Sequence, residues 1–82
     1  MIKKQVFQIA SIYVPVKRMK SLEAEKVVGI AESILEEGQN NPVLVRADGN
    51  RYVLVEGLHR LEALKSLGET TVDGYLVQAR KH

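Results

Sequence analysis

The chain has 82 residues, enough for one domain and too few for two. With 45% hydrophobic residues it can build a core, and 12 Lys and Arg against 10 Asp and Glu leave a net charge of +2 that singles out no class of partner. The lack of any cysteine excludes disulfides, thiolate metal sites and cysteine chemistry within the chain.

The start, Met1-Ile2-Lys3-Lys4-Gln5-Val6, has neither the apolar core nor the small-residue cleavage site of a signal peptide. No apolar run approaches the length of a membrane span. A cytoplasmic location with no membrane partner is therefore expected. Val6-Phe7-Gln8-Ile9 and then Ile12-Tyr13-Val14 read as a strand and its exit. Pro15, which has no N–H to give to a ladder, requires the strand to stop there or to lie on an edge. Val16 to Ser21 reads as a solvated basic connector, and its Lys17, Arg18 and Lys20, with no acidic residue among them, also suit a phosphate ligand.

From Leu22 to Glu37 the period is helical, with Leu22, Val27, Ile30, Ala31, Ile34 and Leu35 on one broad stripe. Glu23 and Glu25 populate the first turn, as the helix dipole prefers. Gly29 inside this helix costs about 1 kcal/mol relative to alanine, and either close packing or the approach of a ligand would explain it. Gly38 ends the helix, and Gln39-Asn40-Asn41-Pro42 is a turn-rich break. Val43 to Ala47, the turn Asp48-Gly49-Asn50 and Arg51 to Val55 make a hairpin. After a second helix, Thr71 to Val77 reads as the last strand, with Gly74 a candidate bulge, and Gln78 to His82 as a polar tail.

The junction between the hairpin and the second helix is the most informative stretch. Leu58, Leu61, Leu64 and Leu67 recur every third residue with Ala63 beside them, and Gly68 stands where a C-terminal cap would. The turn from strand to helix falls at Gly57, which puts His59 and Arg60 in the helix's first turn. That end of a helix is already positive, because its N–H groups are free and the dipole points that way. An anion lying there would resolve the conflict. Two ordinary alternatives stand beside this reading: Glu56 and Glu62 could pair with Arg60, and His59 could be a solvated or hydrogen-bonded side chain.

The elements add up to β-α-β-β-α-β, an α+β domain in which two amphipathic helices cover a small mixed β-sheet. Residues 1–82 form a single domain with a core from about residue 6 to residue 77. Three segments of this domain resemble the ParB/sulfiredoxin superfamily, and the likeness runs from Ile9 to Val77. Ala24 to Ile34 is similar to the first helix of both branches, and Gly38 to Arg46 is similar to the "G-x-x-x-P-hydrophobic-x-V" passage into the hairpin. Gly57-Leu58-His59-Arg60-Leu61-Glu62-Ala63 matches the "G-x-x-R-x-x-A" signature, the most specific of the three.

The resemblance implies a nucleotide whose phosphates rest on the start of the second helix. Gly57 would let the backbone approach the phosphates, Leu58 would offer its N–H, and His59 and Arg60 match the sulfiredoxin His-Arg pair that would contact phosphate oxygens. Lys26 matches a first-helix lysine that faces the nucleotide in sulfiredoxins, with Arg18 beside it to close the other side. Ser33 and Gly29 fall where those enzymes carry small hydroxyl residues, and Ser33 keeps the hydroxyl. Sulfiredoxins read Gly-Cys-His-Arg, and that cysteine does their chemistry. Leu58 stands at the position here, so sulfiredoxin-type activity is not expected. In chromosome-partition ParB proteins the signature is closer to Gly-Glu-Arg-Arg and a helix-turn-helix region follows. This chain ends five residues after its last expected strand, so DNA binding by this domain alone is not expected.

Three functions follow from the resemblance. The first is a nucleotide-binding module for ATP or another nucleoside triphosphate such as CTP, with Mg2+ as a possible companion. The second is a phosphotransferase or nucleotide hydrolase, a class that includes the free-serine kinases, with Glu56 and Glu62 as candidate catalytic carboxylates and Asp48 a distant third. The third is a DNA-associated or regulatory protein-interaction module with a vestigial anion site. The family also carries the label ParB-like nuclease domain, but the two histidines, His59 and His82, build no metal cluster, and no metal ligands are expected.

Overall fold

The apolar alternation of Val43 and Val45 builds the centre of the molecule. In a computed structural model, which describes residues 3–38 and 41–78, both side chains are wholly shielded from solvent on strand β3 (Val43–Asp48). Gly49 and Asn50 turn the chain into β4 (Arg51–Glu56), which returns antiparallel to β3, so the expected hairpin is present. The other flank of β3 pairs parallel with β5 (Thr71–Val77), which pairs antiparallel with β1 (Lys4–Gln8). The two-residue strand β2 (Ile12–Tyr13) runs parallel to β4 at the opposite edge. The mixed sheet thus has the order β1-β5-β3-β4-β2, and Pro15 follows its edge strand as a residue without an N–H must.

Three helices complete the fold: α1 (Val16–Met19), α2 (Ala24–Glu37) and α3 (Leu58–Ser66). The leucine period of α3 does what its spacing predicts. Leu58, Leu61, Ala63 and Leu64 are buried and join Phe7, Ile9, Ile12, Val43, Val45, Leu54 and Val72 in the interior. An edge-to-face contact between Phe7 and Tyr52, 5.0 Å between ring centres, closes the core at one side. None of the α2 residues is buried; this helix packs chiefly on α3, with Leu22 and Ile34 reaching the core from its side.

The expected order β-α-β-β-α-β holds for the principal elements, with four local corrections. The first strand begins at Lys4 and breaks at a 3-10 turn, Ile9–Ser11, before resuming as β2. The basic connector is not wholly a loop, because Val16–Met19 form one helical turn after Pro15. The first long helix starts at Ala24, with Glu23 as its N-cap, and ends at Gly38 as expected. Gly74 is not a bulge. It keeps register on both sides, and the shift in the sheet lies instead between Leu44 and Val45. What Gly74 provides is room: a Cβ there would come within 2.9 Å of the Val43 carbonyl oxygen and 3.1 Å of the Phe7 ring. Gln39 and Asn40 of the expected turn, and the end of the polar tail from residue 79, lie outside the described residues. Among the described residues no helix is long and apolar enough to cross a membrane.

Two substitutions test this packing. Gly29 is exposed, sits mid-helix and has open space around the position of a Cβ. Gly29→Ala is therefore expected to raise stability by about 1 kcal/mol. Leu61→Ala, at a site with 0% exposure, is expected to cost roughly 2–5 kcal/mol. Against a total of roughly 4–12 kcal/mol for a chain of this length, that loss would leave little. Urea-unfolding midpoints of the two variants should move in opposite directions.

Candidate anion-binding site

Leaving β4, the chain must turn sharply to lay α3 back over the sheet. Gly57 makes that turn at φ 109°, a conformation that costs an L-residue with a side chain. It also lies against β3, where an added Cβ would fall 2.6 Å from Val43 Cγ1 and 3.3 Å from Val43 Cα. The first helical bond of α3 runs from the Leu61 N–H to the Gly57 carbonyl at 2.8 Å. The N–H groups of Leu58, His59 and Arg60 therefore have no acceptor within the helix, and Gly57 has no side chain to cap them.

These groups face a cleft of about 410 Å³ lined by Arg18, Ser21, Ile30, Glu56, Gly57, Leu58, His59 and Arg60. Arg60 is half-buried, and its Nη1 is shielded from solvent with no hydrogen-bond partner among the described residues. Among the described residues no carboxylate forms an ion pair with it. Glu62 pairs instead with Lys65 at 3.1 Å, and Glu56 lines the cleft without an ion pair among the described residues. The reading in which these carboxylates neutralise Arg60 is therefore not what the fold adopts.

Arg18 approaches from α1, where its Nη1 donates to the Val55 carbonyl at 2.6 Å. The Ser21 hydroxyl in turn donates to the Arg18 carbonyl at 2.7 Å, tying down the end of that turn. His59 is half-buried, and its Nε2 accepts a hydrogen bond from the backbone N–H of Glu23 at 3.0 Å.

Gly57, Leu58, His59 and Arg60 all line this cleft, with Leu58 contributing backbone while its side chain is buried in the core. Lys26 and Ser33 are not part of the cleft lining. Lys26 is exposed and pairs with Glu23 at 2.9 Å, and the Ser33 hydroxyl donates to the Glu37 carboxylate at 3.0 Å. The pairing with Lys26, and less so the nearby His59, hold the Glu23 carboxyl below its ordinary range. Ser21 and Ile30 line the cleft although neither carried a functional signal in the sequence. Arg18, which the sequence reading set beside Lys26, lines the cleft, and its neighbours Lys17 and Lys20 do not. Among the described residues no three His, Asp or Glu side chains converge as a metal cluster.

Residues 3–82 match the family model of the ParB N-terminal domain. The chain belongs to that family. A curated relative, "Probable chromosome-partitioning protein ParB" of Campylobacter jejuni, is 31% identical over 62 residues, which are 76% of this chain and 22% of the relative. The chain therefore spans about a fifth of the length of that relative.

Among solved structures it superposes on sulfiredoxin from Arabidopsis thaliana with a TM-score of 0.83 and 26% identity, covering 94% of this chain and 86% of that one. The C-terminally truncated chromosome-partitioning protein ParB from Caulobacter crescentus, complexed with CTP-gamma-S, gives a TM-score of 0.76 at 23% identity, over 98% of this chain and 46% of that one. A free serine kinase variant in complex with ADP gives 0.78 at 18% identity, over 90% and 30%. The ParB/sulfiredoxin fold read from the sequence is the fold of this domain.

The Gly57–Val43 contact gives a test of the site's framework. Gly57→Ala is expected to destabilise by roughly 2–5 kcal/mol, combining a disfavoured backbone with overpacking. In a Val43→Ala background, where the nearest clashing atom is gone, the same substitution should cost measurably less. Urea denaturation of the four proteins in this cycle reads out the difference, and strict additivity would show that the contact is not what demands glycine.

Proposed function

We propose that this domain binds a nucleoside triphosphate, ATP or CTP, with its phosphates on the start of α3. The observation that carries this reading is Arg60 Nη1, shielded from water without a partner beside three free backbone N–H groups. An unmet buried donor costs a fold about 1–3 kcal/mol, more when charged, and a phosphate oxygen is the acceptor that such a cluster suits. Arg18 and His59 supply further donors around the same cleft, and Ile30 gives it an apolar side. The CTP-gamma-S and ADP named for two proteins of the same fold support a nucleotide over a simple inorganic anion. On this reading the domain works in the cytoplasm among free nucleotides.

Glu56 favours a second reading, in which the bound nucleotide is turned over. It is the one carboxylate on the cleft wall among the described residues. A nucleotide-borne Mg2+ usually keeps several waters and takes one or two carboxylates besides the phosphates, so Glu56 fits such an ion as a single ligand. Phosphate release from ATP with and without magnesium, compared between the parent chain and Glu56→Gln, separates turnover from binding alone.

Because Arg60 Nη1 has no hydrogen-bond partner among the described residues, its removal should spare stability while removing the ligand's strongest contact. Arg60→Ala is expected to weaken ATP or CTP binding, measured by isothermal titration, by roughly 10- to 150-fold, the equivalent of about 1.5–3 kcal/mol. Its thermal unfolding midpoint should stay at or above that of the parent. If neither nucleotide moves the amide resonances of Gly57 to Arg60 in the parent chain, the nucleotide reading is wrong.

A further inference from the structure

His59 does not point its acceptor nitrogen at the cleft. Nε2 takes the N–H of Glu23, and Glu23 is the N-cap residue of α2. A backbone N–H can only donate, so Nε2 must present its lone pair and the neutral ring must carry its proton on Nδ1. Protonation at Nε2 would set two donors against each other and end the bond.

Besides this bond, the entry to α2 is held by Leu22, which packs against the core and donates its N–H to the Met19 carbonyl at 3.2 Å. The Glu23 side chain does not cap its own helix, being occupied by Lys26 at 2.9 Å on the surface. Ala24, Glu25 and Lys26 are exposed, and no residue of the helix is buried. Among the described residues the His59 contact is the one side-chain hydrogen bond that joins the α2 N-cap to α3. The Glu23 carbonyl meanwhile accepts the N–H groups of Lys26 at 3.1 Å and Val27 at 3.2 Å, so the position of Glu23 sets the first turn.

The geometry points to His59 as a latch between the anion site and the start of α2. Neutral, it fastens Glu23 to α3; when a polyphosphate enters the cleft, the ring gains a proton, turns donor and lets Glu23 go. The ligand half of this statement rests on the nucleotide reading above. The charged groups around the ring explain the direction. Arg18 from α1, Lys26 from α2 and Arg60 on its own helix are cationic, while Glu23 and Glu56 are anionic. A ligand carrying several negative charges tips this balance toward the imidazolium, and by reciprocity an imidazolium binds that ligand more tightly. Occupancy of the cleft is thereby transmitted to α2, whose Val28 and Leu35 are exposed and are not part of the cleft lining.

The test uses the labelled full chain in NMR titrations over the pH range in which an imidazole gains its proton, without ligand and then with saturating ATP or CTP. Without ligand, the neutral His59 ring should show the Nδ1–H tautomer, and the Glu23 amide resonance should move with the same midpoint as the ring. With nucleotide, both midpoints should shift together to higher pH, and exchange of the Lys26 and Val27 amides should quicken. His59→Gln keeps a neutral acceptor that cannot titrate, so its Glu23 amide should no longer move over this range.

A neutral ring protonated on Nε2, or a Glu23 amide that ignores the ring's titration, overturns the latch. So does bound nucleotide that leaves both midpoints in place. If ATP and CTP fail to shift Leu58 to Arg60 at all, the nucleotide reading and the ligand-driven half fall together. The tautomer and the coupled pH response of the free protein still decide whether the latch exists.

Discussion

Val43 is held between two glycines, and the arrangement of the site depends on that fit. Its side chain occupies the space where Gly57 would carry a Cβ, and its carbonyl oxygen occupies the space where Gly74 would carry one. The first approach brings the β4–α3 turn down onto the central strand, and the second draws β5 against β3 and the Phe7 ring. Interiors packed at crystal density do not yield to an extra methyl group without displacing backbone. The glycine that the phosphate-binding reading needs for open access is therefore equally required by packing, and the two demands cannot be separated by looking at Gly57 alone.

Fixing this turn fixes the direction in which α3 begins. Leu58, Leu61 and Leu64 anchor the helix in the core, so the N–H groups of its first turn cannot swing away from the cleft they face. Arg60, one position before the buried Leu61, is carried to the same place by the same rotation, with no carboxylate paired to it among the described residues. An unmet guanidinium nitrogen beside a positive helix end runs against folding stability, and the apolar core beneath it offsets the cost. Local conflict of this kind is where a fold departs from what its stability alone would select.

What was legible in the sequence follows from the range of the forces involved. The leucine period of α3, the Asp48-Gly49-Asn50 turn and the Gly57 break are local signals, and the fold contains all three. So is the mixed sheet with helices against it. The turn of helix at Val16–Met19 is too short to show a period, so the sequence names Arg18 without placing it on a helix. Gly74 reads locally as a bulge because its reason, the carbonyl of Val43, is 31 positions away in the chain. Lys26 and Ser33 show the converse. Each meets a partner within its own helix or cap, Glu23 and Glu37, and such short-range pairs compete with any more distant role.

The position before His59 carries the sharpest consequence. In sulfiredoxins, which the signature resembles, a cysteine stands there; in this chain Leu58 does, and its side chain is 4% exposed and part of the core. A reactive group at that position would have to turn outward, whereas Leu58 gains by turning in. Its burial helps to seat the helix and leaves only its N–H at the cleft. The junction thereby exchanges a reactive side chain for a firmer hold on the helix start. The polar side chains that remain on the cleft wall are Arg18, Ser21, Glu56, His59 and Arg60. Donors and one carboxylate suit the holding of a phosphate ester, and Glu56 and His59 are the acid–base groups on the wall among the described residues.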